Sequence, residues 1–347
     1  MRLIILVSLS LLLLAILLPI LFVGQADLPE PPEPEETDMP TPTPSPDPID
    51  TVHLPGYGQD TALLLDVLVG DQVEQISMED FLYGVVAAEM PARFHPEALR
   101  AQAIAARTYT LHRMFVSPSP RHPEADVCGS YACCKAFLPP ERLRERWGEH
   151  YPRYSQIIRD AVADTDGIIL VYQDRPILAA FHSSSYGMTE ASAAIWNSVP
   201  YLQSVETFES VYDVPNYYEE TRLTFEAFRQ IAHAGIPGAV LDLANKPHWI
   251  SDLRYTSSGR LESLNIGGID LTGAQFRRLF GLRSTALRFS FDGDHITITS
   301  GGYGHGVGMS QFGANTMANR GYSFDEILLW YYTNVSFAWM ETLLPAI

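Results

Sequence analysis

No run of basic residues occurs anywhere in this 347-residue chain. That absence removes the electrostatic footprint of a nucleic-acid-binding protein. The formal net charge is -18, and eight acids with no bases lie between positions 26 and 50, so the rest is only moderately acidic. Cysteine is nearly absent. The three residues, Cys128, Cys133 and Cys134, crowd into one short stretch, and an odd, crowded set excludes an ordinary disulfide framework. No internal repeat is present, which excludes solenoids and propellers. No regular βαβ alternation occurs either. Strand and helix signals are mixed, which predicts an α+β fold.

Residues 3–24 carry no charge, are apolar apart from Ser8 and Ser10, and follow a single positive residue, Arg2. Such a run is long enough to span a bilayer. Its one basic flank predicts a cytoplasmic N-terminus with everything downstream outside. Residues 1–25 are therefore read as a cytoplasmic start and transmembrane anchor, giving a single-pass membrane protein with an extracytoplasmic C-terminal domain. A cleaved signal peptide competes, because Gly24-Gln25-Ala26 has the small-x-small form of a cleavage site, but the run exceeds a usual signal core. Residues 26–52 are Pro-rich and acidic and predict an extended linker, reaching about 80 Å at about 3.1 Å per residue. Residues 53–347 suffice for one large domain, or two intimate ones, with a sizeable core.

Within that domain, strands are expected at 61–69, 72–76, 167–172, 177–182, 254–256, 261–266, 287–291 and 295–300. Ser77 reads as the cap of a helix running to about Ala88, and Pro96 as the first position of a second helix. Helices are also expected at 225–234 and 272–280, and a capping box at Ser323 opens a last one.

Four segments carry chemistry. Glu89 follows an apolar helix and precedes Met90-Pro91, which breaks it; an acid held there is placed to keep its proton near neutral pH, as a general acid must. The competing reading is a helix-end carboxylate in solvent. His122 with Cys128, Cys133 and Cys134 supplies the ligand count of a closed tetrahedral zinc site, against free or oxidised thiols. Four protein ligands leave no open position, so such a site would hold a loop in place. Residues 301–313, GGYGHGVGMSQFG, lack the Lys-Ser or Lys-Thr of a phosphate loop and the third glycine of a dinucleotide fingerprint. They nearly match a nucleophile elbow, which motivates a serine hydrolase with Ser310 and His305 as an alternative. Otherwise the glycines allow a close backbone approach to a ligand, with His305 and Gln311 suited to hydrogen bonding to it; a tight structural turn is the competing reading. Residues 182–189, HSSSYGMT, are a further polar strand end, with ordinary turn chemistry as the competing reading. Together, residues such as His182, Ser184, His305 and Gln311 suit a ligand dense in hydroxyls.

YGVVAAEMP with AQAIAARTY, H-x5-C-x5-C, HSSS-x-G-x-T with Trp196 and PYL, and GYGHGVGMSQFGA with its downstream EIL and YY resemble the SpoIID family. This is the stage II sporulation protein D family of lytic transglycosylases, related to amidase-enhancer proteins, and the resemblance covers about residues 60–338. It implies a SpoIID-like domain that cleaves the MurNAc–GlcNAc bond of peptidoglycan strands to 1,6-anhydro ends. It also implies a partner amidase that strips stem peptides first, and a role in septal wall degradation and forespore engulfment within a membrane-anchored complex. The family's catalytic Glu falls on Glu89, its helix arginine on Arg107 and its PYL aromatic on Tyr201. Its ligands fall on His122, Cys128 and Cys134, with Cys133 as the remaining one, so a structural Zn(2+) is implied and no organic cofactor. The chain departs from the family at Tyr186, where a Gly is usual, and at Gln203, where a basic residue is common.

Arg93, Arg100 and Arg107 recur every seven residues, so Arg100 and Arg107 share a helix face. Arg107 is expected to pair with the lactyl carboxylate of the muramic acid; a solvated basic stripe is the alternative. Hydrolytic glycosidases need two carboxylates, whereas transglycosylation to an anhydro end needs one, which suits Glu89 alone. The rival function is a non-catalytic glycan-binding activator of a wall amidase.

Overall fold

The computed structural model describes residues 58–343. The anchor and the linker expected from the sequence lie outside the described residues, and among those described no helix is long and apolar enough to cross a membrane. The described chain is a mixture of short sheets and helices, α+β as expected, around two hydrophobic cores.

β1 (Leu64–Val69) and β2 (Gln72–Ser77) form an antiparallel hairpin. Leu65 and Val67 point into the core while Leu64 and Asp66 face out, the period-two pattern of a strand. The Ser77 side chain then accepts from Asp80 N and starts α1 (Met78–Glu89). This helix is buried on nearly every side, and Pro91 prevents its continuation. His95 caps α2 (Pro96–Phe115), with Pro96 in the first turn. Alanines line α2, which lets it pack closely at the centre of the first core. β3 (Val127–Cys128) joins β1 in parallel. Then come α3 (Pro140–Trp147) and α4 (Tyr151–Ala163), which carried no sequence expectation, followed by β4 (Ile168–Tyr172), β5 (Arg175–Pro176) and β6 (Phe181–His182).

The expected strand at 177–182 is realised only at its end. Ala179 N donates to Ile177 O and Ala180 N to Leu178 O, and these tight i+2 turns withdraw the backbone from a ladder.

The second core belongs to residues 218–301. β7 (Tyr218–Thr224) leads into α5 (Phe225–Gly235), and β8 (Ile250–Tyr255), β9 (Leu261–Ile266) and β10 (Ile269–Thr272) form an antiparallel sheet. α6 (Gly273–Leu279) is closed by a capping box from Thr272 and Gln275. β11 (Ala286–Asp292) and β12 (His295–Gly301) complete a sheet in which β12 is central, between β11 and β7. Phe228, Trp249 and Phe276 fill this lobe, each contributing about 2–3 kcal/mol of apolar burial.

The chain then returns to the first core. β13 (Met309–Ser310) pairs in parallel with β6 and runs directly into α7 (Gln311–Asn319). α8 (Phe324–Tyr331) and β14 (Ser336–Trp339), antiparallel to β4, finish the fold.

Candidate active site

Glu89 is the last residue of α1 and is half-buried. Two parts of the chain that are remote in sequence converge on its carboxylate. Gln311, at the first turn of α7, donates from Nε2 to Glu89 Oε2 at 3.2 Å. Ala136 N, beyond the cysteines, donates to Oε1 at 3.4 Å. Gln102 of α2, wholly buried, accepts from the same Gln311 amide at 3.4 Å and so orients it.

Ala136 and Lys135 directly follow the His-Cys cluster. One ligand atom from each of His122, Cys128, Cys133 and Cys134 lies within 4.8 Å of the others. His122 Nδ1 lies 3.1 Å from Ala125 O, which, with Nδ1 protonated, leaves Nε2 facing Cys134 Sγ at 3.2 Å. Burial pushes the Cys134 thiol up to about 12. Burial also raises Cys133, but hydrogen bonds from Ser119, Cys128, His122 and Cys134 outweigh it and bring that thiol down to about 7. A carbonyl that fixes one ring nitrogen, with three sulfurs around the other, is a donor set that fits a tetrahedral metal ion. Lys135 follows, with Nζ 3.4 Å from the centre of the Phe181 ring and 4.4 Å from that of Tyr109. Burial lowers its ammonium to about 8, while the nearby charge of Glu89 opposes the shift.

The glycine-rich segment forms a neighbouring wall. Its glycines make room for the protein itself rather than standing open for a ligand. A Cβ on Gly308 (φ 72°) would meet Ala180 O at 2.0 Å, and one on Gly306 (φ 86°) would meet the Arg260 guanidinium at 2.4 Å. His305 lies in this wall, 5.0 Å from Trp196 and 5.7 Å from His182 between ring centres. Burial, with the charges of Lys135, Arg260 and Arg277, lowers His305 to about 3, and burial likewise pushes His182 well below its ordinary value. Both imidazoles are therefore neutral. Trp196 is 45% exposed beside His305. Beneath the wall, the buried Glu209 accepts from Ser185 N at 2.8 Å and Ser310 Oγ at 2.5 Å. Burial raises its carboxyl above the usual range. Ser310 also caps α7 through Gly313 N at 3.2 Å, so Glu209 helps to set the helix start that aims Gln311.

The family model described as Stage II sporulation protein matches residues 70–172. Stage II sporulation protein D of Bacillus subtilis (strain 168) is 38% identical over 263 residues, covering 75% of this chain and 74% of that protein. The chain belongs to the stage II sporulation protein D family. The protein of the same name from Bacillus amyloliquefaciens is 36% identical over 275 residues, 78% of this chain and 77% of that one. The Amidase enhancer of Bacillus subtilis (strain 168) is more distant, 28% identical over 301 residues, 72% of this chain and 39% of that protein.

In this member of the family, the residues expected to bind substrate divide. Gln311 touches Glu89, and His305 lies in the wall near Lys135 and Trp196. Arg107 is elsewhere: its side chain is 0% exposed and forms a two-pronged ion pair with Asp60, Nε to Oδ1 at 2.8 Å and Nη2 to Oδ2 at 2.5 Å. Its Nη1 donates to Ile168 O. Burial pushes Asp60 above its ordinary value, and the pull of Arg107 offsets only part of that. The expected pairing with a substrate carboxylate is corrected on this ground: the guanidinium is already spent inside the fold. Tyr201 is buried, and its hydroxyl accepts from Leu178 N at 3.1 Å. His182 has both ring nitrogens engaged, with Val307 O and Ser185 Oγ. Ser184 is buried, and its Oγ has no hydrogen-bond partner among the described residues. Ser310, the nucleophile of the hydrolase alternative, is buried and bonded to Glu209, with no imidazole among its hydrogen-bond partners. Gln102, Lys135, Ala136 and Glu209 carried no sequence expectation. Only the proximity of Lys135 to the cysteines hinted at any of them.

Proposed function

We propose that this protein is a peptidoglycan lytic transglycosylase acting on peptide-stripped glycan strands, with Glu89 as its single acid and base. The observation that carries this reading is the convergence of the Ala136 N–H and the Gln311 amide on one half-buried carboxylate at a helix break. Protonated Glu89 gives its proton to the glycosidic oxygen as the bond from that oxygen to MurNAc C1 breaks. The sugar passes through an oxocarbenium-like state. The carboxylate then takes the proton of the 6-hydroxyl of the same sugar, whose oxygen bonds to C1. One glycosidic bond is exchanged for an internal 1,6-anhydro bond, and no water is consumed. Gln311 and Ala136 hold the carboxylate in one orientation through both transfers, as positioned acid-base catalysis requires. Trp196 offers an exposed ring on which a sugar face can stack.

The His122, Cys128, Cys133 and Cys134 set would hold a structural zinc ion, whose contribution is to fix the loop that presents Lys135 and Ala136. The relatives named for sporulation point to a role there; we take that role to be wall degradation during engulfment, from a membrane-anchored position with an amidase as partner. The relative named Amidase enhancer favours a second reading, a glycan-binding activator without chemistry of its own.

Mass spectrometry of peptidase-stripped strands incubated with the protein separates these. New anhydro-muramic ends, lost by about 100-fold or more in Glu89→Gln, are the expected result. Reducing ends would mean hydrolysis and a second catalytic group. Bound but intact strands would leave the activator.

A further inference from the structure

The Lys135 ammonium has no hydrogen bond or ion pair among the described residues. Its side chain is half-buried, and two aromatic faces, Phe181 and Tyr109, take the place of water around Nζ. Cation–π contacts return less to a desolvated ammonium than its removal from water costs. An anion is the partner that would complete this site. Glu89 lies close enough to act on Lys135 electrostatically, yet forms no ion pair with it among the described residues. Arg93 is exposed at the surface, and three further arginines are committed or enclosed. Arg107 is paired with Asp60, Arg100 with Asp164, and Arg260 is 2% exposed, packed against Gly306.

We propose that Lys135 receives the lactyl carboxylate of the muramic acid residue and thereby selects strands whose stem peptides have been removed. This rests on the glycan-cleaving reading above and names what that site discriminates. On a peptide-free muramic acid the lactyl group ends in a carboxylate, the one charge on the sugar. When a stem peptide is attached, the same carbon is a neutral amide that offers an ammonium no charge. Lys135 is joined through Cys134 to the cysteine cluster, so its backbone is anchored beside Ala136, which touches Glu89. A carboxylate held on Nζ would thus lock the sugar relative to the acid.

The test compares native stripped strands with strands whose lactyl carboxyls have been coupled to methylamine. Binding is measured on the full chain carrying Glu89→Gln, and release of anhydro ends on the unsubstituted chain. Coupling is expected to weaken binding about 10- to 100-fold, the range of one charge-assisted contact. Lys135→Met should lose as much on native strands and become indifferent to coupling, while Lys135→Arg should recover part of the preference. Equal binding of both strands by the Lys135 chain, a measurement that needs no substitution at 135, overturns the proposal. So does a preference that survives in Lys135→Met. Cleavage that ignores coupling would leave the transglycosylase standing without this contact. Discrimination in binding with no cleavage would leave the contact and remove the transglycosylase.

Discussion

Arg107 and Glu89 were read from one stretch of sequence, and the structure treats them differently. Glu89 closes a helix that Pro91 must end, so its position at a break was legible from local chemistry alone. Arg107 was placed correctly on a helix, on the face it shares with Arg100, but periodicity does not say which face is turned inward. The alanines around it, at 101, 103, 105 and 106, are all buried, which is the signal that this helix lies inside the core on most sides. An arginine there must be paired. Its partner, Asp60, comes from a segment with no helical or strand pattern of its own to draw attention. Arg107→Ala should therefore destabilise the fold by about 3–5 kcal/mol, because it strands a buried carboxylate. Replacing both partners, Arg107→Met with Asp60→Leu, should recover most of that loss. Thermal unfolding of the two singles and the double gives the coupling. An Arg107→Ala chain with an unchanged melting temperature and no cleavage would restore the substrate role to Arg107.

Among the elements, the glycine-rich segment was visible as an anomaly, and α7 after it was not predicted in its role. What the glycines accommodate depends on Ala180 and Arg260, from distant parts of the chain, and no local pattern shows that. α3 and α4 escaped for a similar reason: α4 buries a narrow stripe of Ser155, Ile158, Ala161 and Val162, and the polar Ser155 disguises it. The start of α7 is a tight junction in the site. A Cβ on Gly313 would meet Tyr331 Oη at 2.1 Å and Glu209 Oε2 at 2.5 Å. Both neighbours are buried, so the helix must yield. Gly313→Ala should cost about 1–3 kcal/mol in stability through overpacking. It should also move Gln311 off Glu89, with cleavage falling up to about 100-fold for an ångström of displacement. Steady-state kinetics should show the loss mainly in kcat. A stability loss without a kcat change would mean that α7 does not aim the acid.

Over the whole molecule, acid and metal removal should act in the same direction. The cysteine cluster was legible as a ligand set because four donors fall within thirteen positions, but its link to Glu89 through Lys135 and Ala136 emerged only in three dimensions. Without a metal ion, Cys134 keeps its proton far above neutrality. Binding must displace that proton, so affinity rises with pH and weakens as pH falls. Three imidazoles, His112, His182 and His305, are pushed below the ordinary histidine value by burial. The unfolded chain takes up protons on each near pH 6.5, while the folded chain takes them up only at lower pH. Their contribution is present above that pH and is lost as pH falls, by up to about 1.4 kcal/mol per pH unit for each group. Glu209 and Asp60, raised by burial, have the opposite sign and contribute at low pH, so they offset part of the loss. Urea unfolding at pH 7.5 and 5.5, with and without a zinc chelator, isolates the metal's share. The chelator should lower the midpoint at pH 7.5 and reduce cleavage along with it, since the loop carrying Ala136 is then released. At pH 5.5 the difference should narrow, because the thiols hold their protons in both samples. A midpoint untouched by chelator at either pH, with no metal found by elemental analysis, would assign the cluster to plain thiols and leave the packing of Phe137 against Gly84 to hold Ala136 at the acid.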